Sequence, residues 1–429
     1  MRRPAALLAA VTLLAVTAAL AGSAVAVPPS SSATTPRNVI LFVVDGMGPE
    51  QVALGRAMKG SPLSVDGIPW QTKGTLDTDS LEGVTDSAAG ATALASGAET
   101  NNGWLGMVPA PGGSASVPTA LEYAEDRGKA TGLVTDSYIT DATPGAFAAH
   151  VTSRSQTREI ATQMAAQDVE ILLGGGLRQA GVGPLLGLDG VAYVRNAAQV
   201  NGYTDGGPVY GFFDSWNMVY NLDREEEGVV RKDPTLPQMT AAALRTLSQE
   251  DDGFFLMVEG GLVDWGGHAR DAASMGVEMI ETDEAVKVAY NWAKDRSDTL
   301  IVFTADHETG GFGFSAATDL AGLRGQTATT EFMWGRIAGG AGIRSTVQTH
   351  TGLALTAAEI ATVRTCGEHG ISDVLAQRWG LSWNGTCTQE GDHTATPVPV
   401  WAWGPGHADF AGISVPNEIV GDNLLAYFS

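Results

Sequence analysis

The chain has 429 residues, 44% of them hydrophobic, and a formal net charge of −23 at pH 7. A surface this acidic repels polyanions, which excludes nucleic acid and anionic membranes as partners, and any anionic substrate would need a locally positive site. The length suits one large domain or two smaller ones, and no internal repeat is visible.

Arg2 and Arg3, the apolar run PAALLAAVTLLAVTAALAG and the small-residue site Ala24-Val25-Ala26 read as an export signal over residues 1–26, cleaved after Ala26. A retained span is the alternative. Alanine is only weakly hydrophobic, however, and no basic stop-transfer cluster follows, so no stable membrane anchor is expected. Residues 27–37, VPPSSSATTPR, form a flexible lead-in. Residues 38–429 are then expected to form a single domain outside the cytoplasm, extracellular or periplasmic.

NVILFVVDG, residues 38–46, is a buried parallel strand with Asp45 at its carboxyl end. VTDSAAGATALASG, residues 84–97, places Asp86 and Ser87 at the head of a helix made almost wholly of small residues. Two readings fit it: a capped helix packed tightly for its own sake, or a nucleophilic serine where free N–H groups and the helix dipole attract phosphate. Helix TALEYAEDRG and strand KATGLVTD follow, then helix TREIATQMAAQ and strand VEILLGGG. Helix TLPQMTAAALRTLSQE, strand GFFLMVEGG, the long helix MGVEMIETDEAVKVAYNWAKDR and strand DTLIVFTADHETGG continue the alternation. It predicts an α/β fold, a doubly wound and mostly parallel central sheet with helices on both faces. Residues 310–352 lose all periodicity and are expected to be a loop-rich insertion after the Asp306-His307 strand. TAAEIATVRT and ISDVLAQRWG read as helices, PVPVWAWG as a late strand and NEIVGDNLLAYF as a closing helix. Cys366 and Cys387, the two cysteines, read as one disulfide in an exported chain.

Asp45, Glu259 and Asp306 each end a strand, and ligand sites of such sheets lie beyond the carboxyl ends. VEGGLVDWGGHARD adds Asp264 and His268, TADHETGG adds His307, and GDHTATPV adds His393. Histidine with carboxylate is the ligand set of a hydrolytic zinc site that keeps an open position, and mixed oxygen ligands suit magnesium.

The stretches NVILFVVDGMG, VTDSAAGATALASG, DATPGAFAAHVTSR, VEGGLVDWGGH, TADHETGG and GDHT, in this order from residue 38 to 394, together resemble the alkaline phosphatases. The resemblance implies hydrolysis of small phosphate monoesters through a phosphoserine on Ser87, with two Zn2+ and one Mg2+ per chain. By the same resemblance Asp45, Asp306 and His307 hold one zinc, and Asp264, His268 and His393 the other. Thr143 and Glu259, with Asp45 as a bridge, would hold magnesium, with Asp141 in its water shell. Arg154 would clamp the phosphate. His407, in GPGHADF, competes with His393 for the last position, and GDHT favours His393. Several bacterial members carry lysine where this chain has Trp265. A sulfatase would need proline and then arginine starting two residues past the nucleophile, and Ser87-Ala-Ala-Gly-Ala lacks them. A phosphodiesterase and a catalytically dead phosphate-binding protein are the remaining rivals. A homodimer is compatible with the sequence but is not specified by it.

Overall fold

The strand Asn38–Val43 (β1) is six residues of NVILFV with every position buried. Its neighbours Phe254–Glu259 and Thr299–Thr304 are buried along their whole length as well. Strands buried on both faces must be covered by helices on both faces, which is how a parallel sheet avoids water. A computed structural model describes residues 35–178, 181–226 and 232–429. The expected export signal, and all but the last three residues of the lead-in, lie outside the described residues.

Ten strands form the central sheet. After β1 they are Thr72–Asp77 (β2), Ala130–Tyr138 (β3), Ile171–Gly175 (β4), Ala192–Tyr193 (β5), Val209–Phe212 (β6), Phe254–Glu259 (β7), Thr299–Thr304 (β8), Val398–Trp403 (β9) and Val415–Pro416 (β10). Their order is β10-β2-β9-β8-β1-β7-β3-β4-β6-β5. Neighbours from β8 to β5 run parallel; β9 is antiparallel to both β8 and β2. The fold is the α/β sheet the sequence predicted. The register carries the functional consequence: Val43 pairs with Glu259 on one side and with Thr304 on the other. Three adjacent strands therefore end level, and Asp45, Glu259 and Asp306 come out at one edge.

Residues 310–352 correct the sequence expectation. They contain helices Leu320–Arg324, Thr330–Ala338 and Ile343–Thr351 rather than a run of loops. Each is short, and in the second only Thr330 and Met333 are buried, too few to draw an apolar stripe. Asp319 and Thr329 cap the first two by accepting N–H bonds from Gly322 and Phe332. Helices Ala357–Cys366 and Glu368–Trp379 follow. A disulfide joins Cys366 to Cys387 with Cα atoms 5.2 Å apart. No helix among the described residues is long and apolar enough to cross a membrane.

Candidate active site

Ser87 opens the helix Ser87–Ser96, all ten residues of which are buried. Asp86 is its N-cap: one carboxylate oxygen accepts the Ala89 N–H at 3.0 Å, and the same side chain accepts the Gly103 N–H. The small residues have a packing reason. A methyl group added at Gly90 would stand 3.0 Å from Asp306 Cβ and 3.2 Å from the Asp306 carbonyl oxygen. Only a helix this slim can lie against the end of β8, and so Ser87 Oγ comes within 3.2 Å of His307 Nε2.

Asp45 lies two residues beyond β1. The next residue, Gly46, takes φ +78°, and a Cβ there would meet Asp264 Cα at 2.7 Å. Glycine thus lets the Asp45 turn touch the helix Leu262–His268, which carries Asp264 and His268. Two groups of possible ligands result, Asp45 with Asp306 and His307, and Asp264 with His307 and His393. His307 Nε2 stands 3.5 Å from Asp45 Oδ1 and 3.4 Å from Asp306 Oδ2. His268 Nε2 is 3.3 Å from Asp264 Oδ2, and His393 Nε2 is 3.6 Å from Asp264 Oδ1.

The outer hydrogen bonds fix which ring nitrogen is free. His268 Nδ1 faces the Gly391 carbonyl at 2.6 Å, and His393 Nδ1 faces the Thr85 carbonyl at 2.9 Å. A carbonyl only accepts, so both Nδ1 atoms donate, and in the neutral rings both Nε2 atoms carry lone pairs. Thr309 Oγ1 donates to Asp264, which makes it the acceptor for His307 Nδ1 at 3.2 Å and frees His307 Nε2 too. His268 and His393 then aim lone pairs at each other across 3.1 Å. Such a pair repels unless a cation lies between them.

A third cluster sits beside Glu259. Its Oε2 accepts from Thr135 Oγ1 at 2.5 Å, while Glu259 Oε1 and Thr143 Oγ1 are buried without a hydrogen-bond partner among the described residues. Asp45 Oδ1 and Asp306 Oδ2 are orphaned in the same way. Buried oxygens are rarely left so, because each loses its hydration for nothing. Burial, and then the neighbouring acids, hold the Asp45 and Glu259 carboxyls well above the ordinary range. Asp306 is pushed up to about 7 by burial and then by Asp264. His307 is driven well below its ordinary value by burial and then by His393. Crowded carboxylates, neutral imidazoles and orphaned oxygens fit a site for divalent cations.

Asp141 caps the helix Ala142–Ala148 and receives Ser137 Oγ–H at 2.6 Å. Arg154 donates to Asp141 Oδ1 at 3.0 Å and to Asp86 Oδ2 at 3.4 Å. It is about one-third exposed and lines, with Ser87, Asp45, Asp264, His268 and His393, a cavity of about 750 Å³. Trp265 lines the same cavity. His407 does not join the cluster; its Nδ1 pairs with Thr72 Oγ1 at 2.9 Å. The sequence reading missed Thr309, Ser137 and Thr135. These hydroxyls orient the candidate ligands, and a lone hydroxyl carries no pattern that would single it out.

The alkaline phosphatase family profile matches residues 36–181 and 187–426. Alkaline phosphatase 3 of Bacillus subtilis (strain 168) is 32% identical over 422 residues, covering 91% of this chain and 88% of that protein. The crystal structure of a cold-active alkaline phosphatase from Shewanella sp. superposes with a TM-score of 0.80 at 28% identity, over 91% of this chain and all of that one. A mutant of TAB5 alkaline phosphatase gives 0.68 at 26% identity, over 92% of this chain and 99% of that one. The match spans the sheet, the Ser87 helix and the three clusters of candidate ligands, and the chain belongs to the alkaline phosphatase family.

Proposed function

We propose that the chain hydrolyses phosphate monoesters through a covalent phosphoserine on Ser87, with two zinc ions and one magnesium ion, outside the cytoplasm. One observation carries the reading: Ser87 Oγ, at a helix N-terminus, lies 3.2 Å from His307 Nε2, itself beside the orphaned oxygens of Asp45 and Asp306. Asp45, Asp306 and His307 would hold one zinc, and Asp264, His268 and His393 the other. The oxygen-rich Glu259 and Thr143, with Asp45 as a bridge, suit magnesium, with Asp141 in its water shell. The TAB5 alkaline phosphatase mutant has Mg bound in its M3 site. When bound, such ions make a serine hydroxyl or a water acidic and stabilise charge on the attacking and leaving oxygens of an in-line displacement.

The chain's own groups do the rest. Arg154, held by Asp86 and Asp141, presents its guanidinium to two phosphoryl oxygens and fixes the phosphorus in line with Ser87. Ser87 Oγ forms a bond to phosphorus as the ester P–O bond breaks, and the alcohol departs. Water then cleaves the Oγ–P bond, and inorganic phosphate leaves. The Cys366–Cys387 disulfide supports an oxidising compartment. Metal analysis with a paired monoester and diester assay tests the reading. Zinc per chain is expected to fall in His393→Ala and hold in His407→Ala, with monoesters preferred. Zinc lost only in His407→Ala, or diesters preferred, overturns it.

A further inference from the structure

The cavity that holds Ser87 does not end at the ligand clusters. It continues past Trp265 and Tyr220 to Glu331, Glu368, His369 and Glu390. Glu331 lies in the first turn of the helix Thr330–Ala338, and Glu368 opens the helix Glu368–Trp379. Glu331 stands on a helix the sequence hid, and Glu368 on one it predicted. Thr330 Oγ1 donates to Glu368 Oε1 at 3.2 Å, which ties the two helix starts together. The other acids of the cavity have tasks: Asp45 and Asp264 belong to the candidate ligand clusters, Asp86 and Asp141 pair with Arg154, and Asp392 accepts the His393 N–H at 2.9 Å. Glu331, Glu368 and Glu390 have no lysine or arginine partner among the described residues, and no lysine lines the cavity. Burial and then Glu331 push the Glu368 carboxyl up to about 7, which reflects how closely they crowd. His369 adds a buried Nδ1 with no hydrogen-bond partner among the described residues, on a ring that burial keeps below its ordinary pKa.

A monoester bound with its phosphorus at Ser87 must place its alcohol portion in this outer half of the cavity. We infer that the Glu331–Glu368 wall, with the indole of Trp265, selects phosphate monoesters whose alcohol carries a cation, such as an aminoalkyl or quaternary ammonium group. The inference rests on the monoester reading and adds its substrate class. The chemistry is complementary at both ends: the inner half takes the phosphate dianion through Arg154, and the outer half takes the opposite charge. An aromatic face and carboxylates together are how proteins hold ammonium groups, the ring attracting the cation through its quadrupole. Release works in the same sense, since water replaces the alcohol and both halves of the product, aminoalcohol and inorganic phosphate, leave separately.

Phosphocholine and its neutral isostere 3,3-dimethylbutyl phosphate test this, because they differ mainly by one charge. The readout is the ratio of their kcat/KM values in the metal-loaded enzyme, compared between wild type and variants so that intrinsic reactivity cancels. The ratio is expected to fall about five- to tenfold in Glu331→Gln/Glu368→Gln. In the wild type itself it should fall as salt rises from about 0.02 M to about 0.5 M, because exposed charges are screened. The salt series stands even if the double variant does not fold. A ratio unmoved by both overturns the inference and leaves monoester hydrolysis standing. A further calcium equivalent lost in the variant, with no change in the ratio, assigns the wall to a metal and overturns it too. Failure to hydrolyse either ester defeats the monoester reading, and the inference falls with it.

Discussion

A serine hydroxyl ionises far above neutral pH, so on the proposed mechanism Ser87 needs positive charge within reach of Oγ before it can attack phosphorus. Its sequence neighbours do not supply that charge; His307, Asp306 and Asp45 arrive from other strands to form a candidate cation site beside it. Trp265 lines the cavity beside Ser87. On the proposed mechanism, with tryptophan there, Arg154 and the metals alone would hold the product. Trp265→Lys should tighten inhibition by inorganic phosphate about tenfold, the worth of one charge-assisted contact, and slow turnover if product release limits it. The inhibition constant at fixed pH and salt checks this. An unchanged constant together with unchanged turnover makes Trp265 a packing residue only. The same substitution should erase the preference for cationic esters, since it puts an ammonium where the indole stood.

At the scale of elements, the Ser87 helix is gripped at both ends. Its first turn lies against Asp306, and its last turn meets the closing helix Glu418–Phe428, where a Cβ at Gly421 would collide with the backbone of Gly97 and Ala93. Gly421→Ala must therefore part the two helices, at a cost of about 1–3 kcal/mol. A lower melting temperature is expected, with weaker activity because Ser87 moves with its helix. A variant that melts like the wild type would show that the helices do not press together there. The strands β1, β7 and β8 were legible as sequence because an apolar run of four to six residues, with an acid at or just past its end, has few other meanings. Asp45, Glu259 and Asp306 were legible as candidates for the same reason, Asp264, His268, His307 and His393 as clusters of histidine and acid, and Thr143 and Asp141 only through the family resemblance. The helices between Leu320 and Thr351 were not. Each buries a single apolar side chain, Leu323, Met333 or Val347, too little to draw an apolar stripe, and glycines such as Gly339, Gly340 and Gly352 break the pattern at their ends. What that region contributes to the cavity, Glu331 above all, was hidden with them.

At the scale of the whole molecule, a chain of net charge −23 must draw a phosphate dianion into a cleft crowded with acids. On the proposed function metals would resolve the conflict, and their removal should show in the pH dependence of stability. Asp306 rises to about 7 from an ordinary 3.8, and Asp45 and Glu259 rise as well. Between the unfolded and folded values the folded protein binds more protons, so the metal-free protein loses stability as pH rises through roughly 4 to 7. His268 acts in the same direction: burial is the largest single effect and lowers its pKa, but Asp264, the Gly391 carbonyl, Glu390 and Asp392 together outweigh it and raise the pKa. His307, lowered by burial, acts oppositely below its ordinary 6.5, one group against four. After chelation the melting temperature should drop by about 5 °C between pH 5 and pH 8, whereas the metal-loaded protein gains from deprotonated ligands. A chelated protein that melts higher at pH 8 would contradict this. The most direct measurement on the central claim is acid quench of the enzyme turning over a labelled monoester, followed by peptide mapping. One acid-stable phosphoryl group on the peptide containing Ser87, absent from a folded Ser87→Ala variant, is the expected result. Label on another residue, or full turnover by Ser87→Ala, would contradict it.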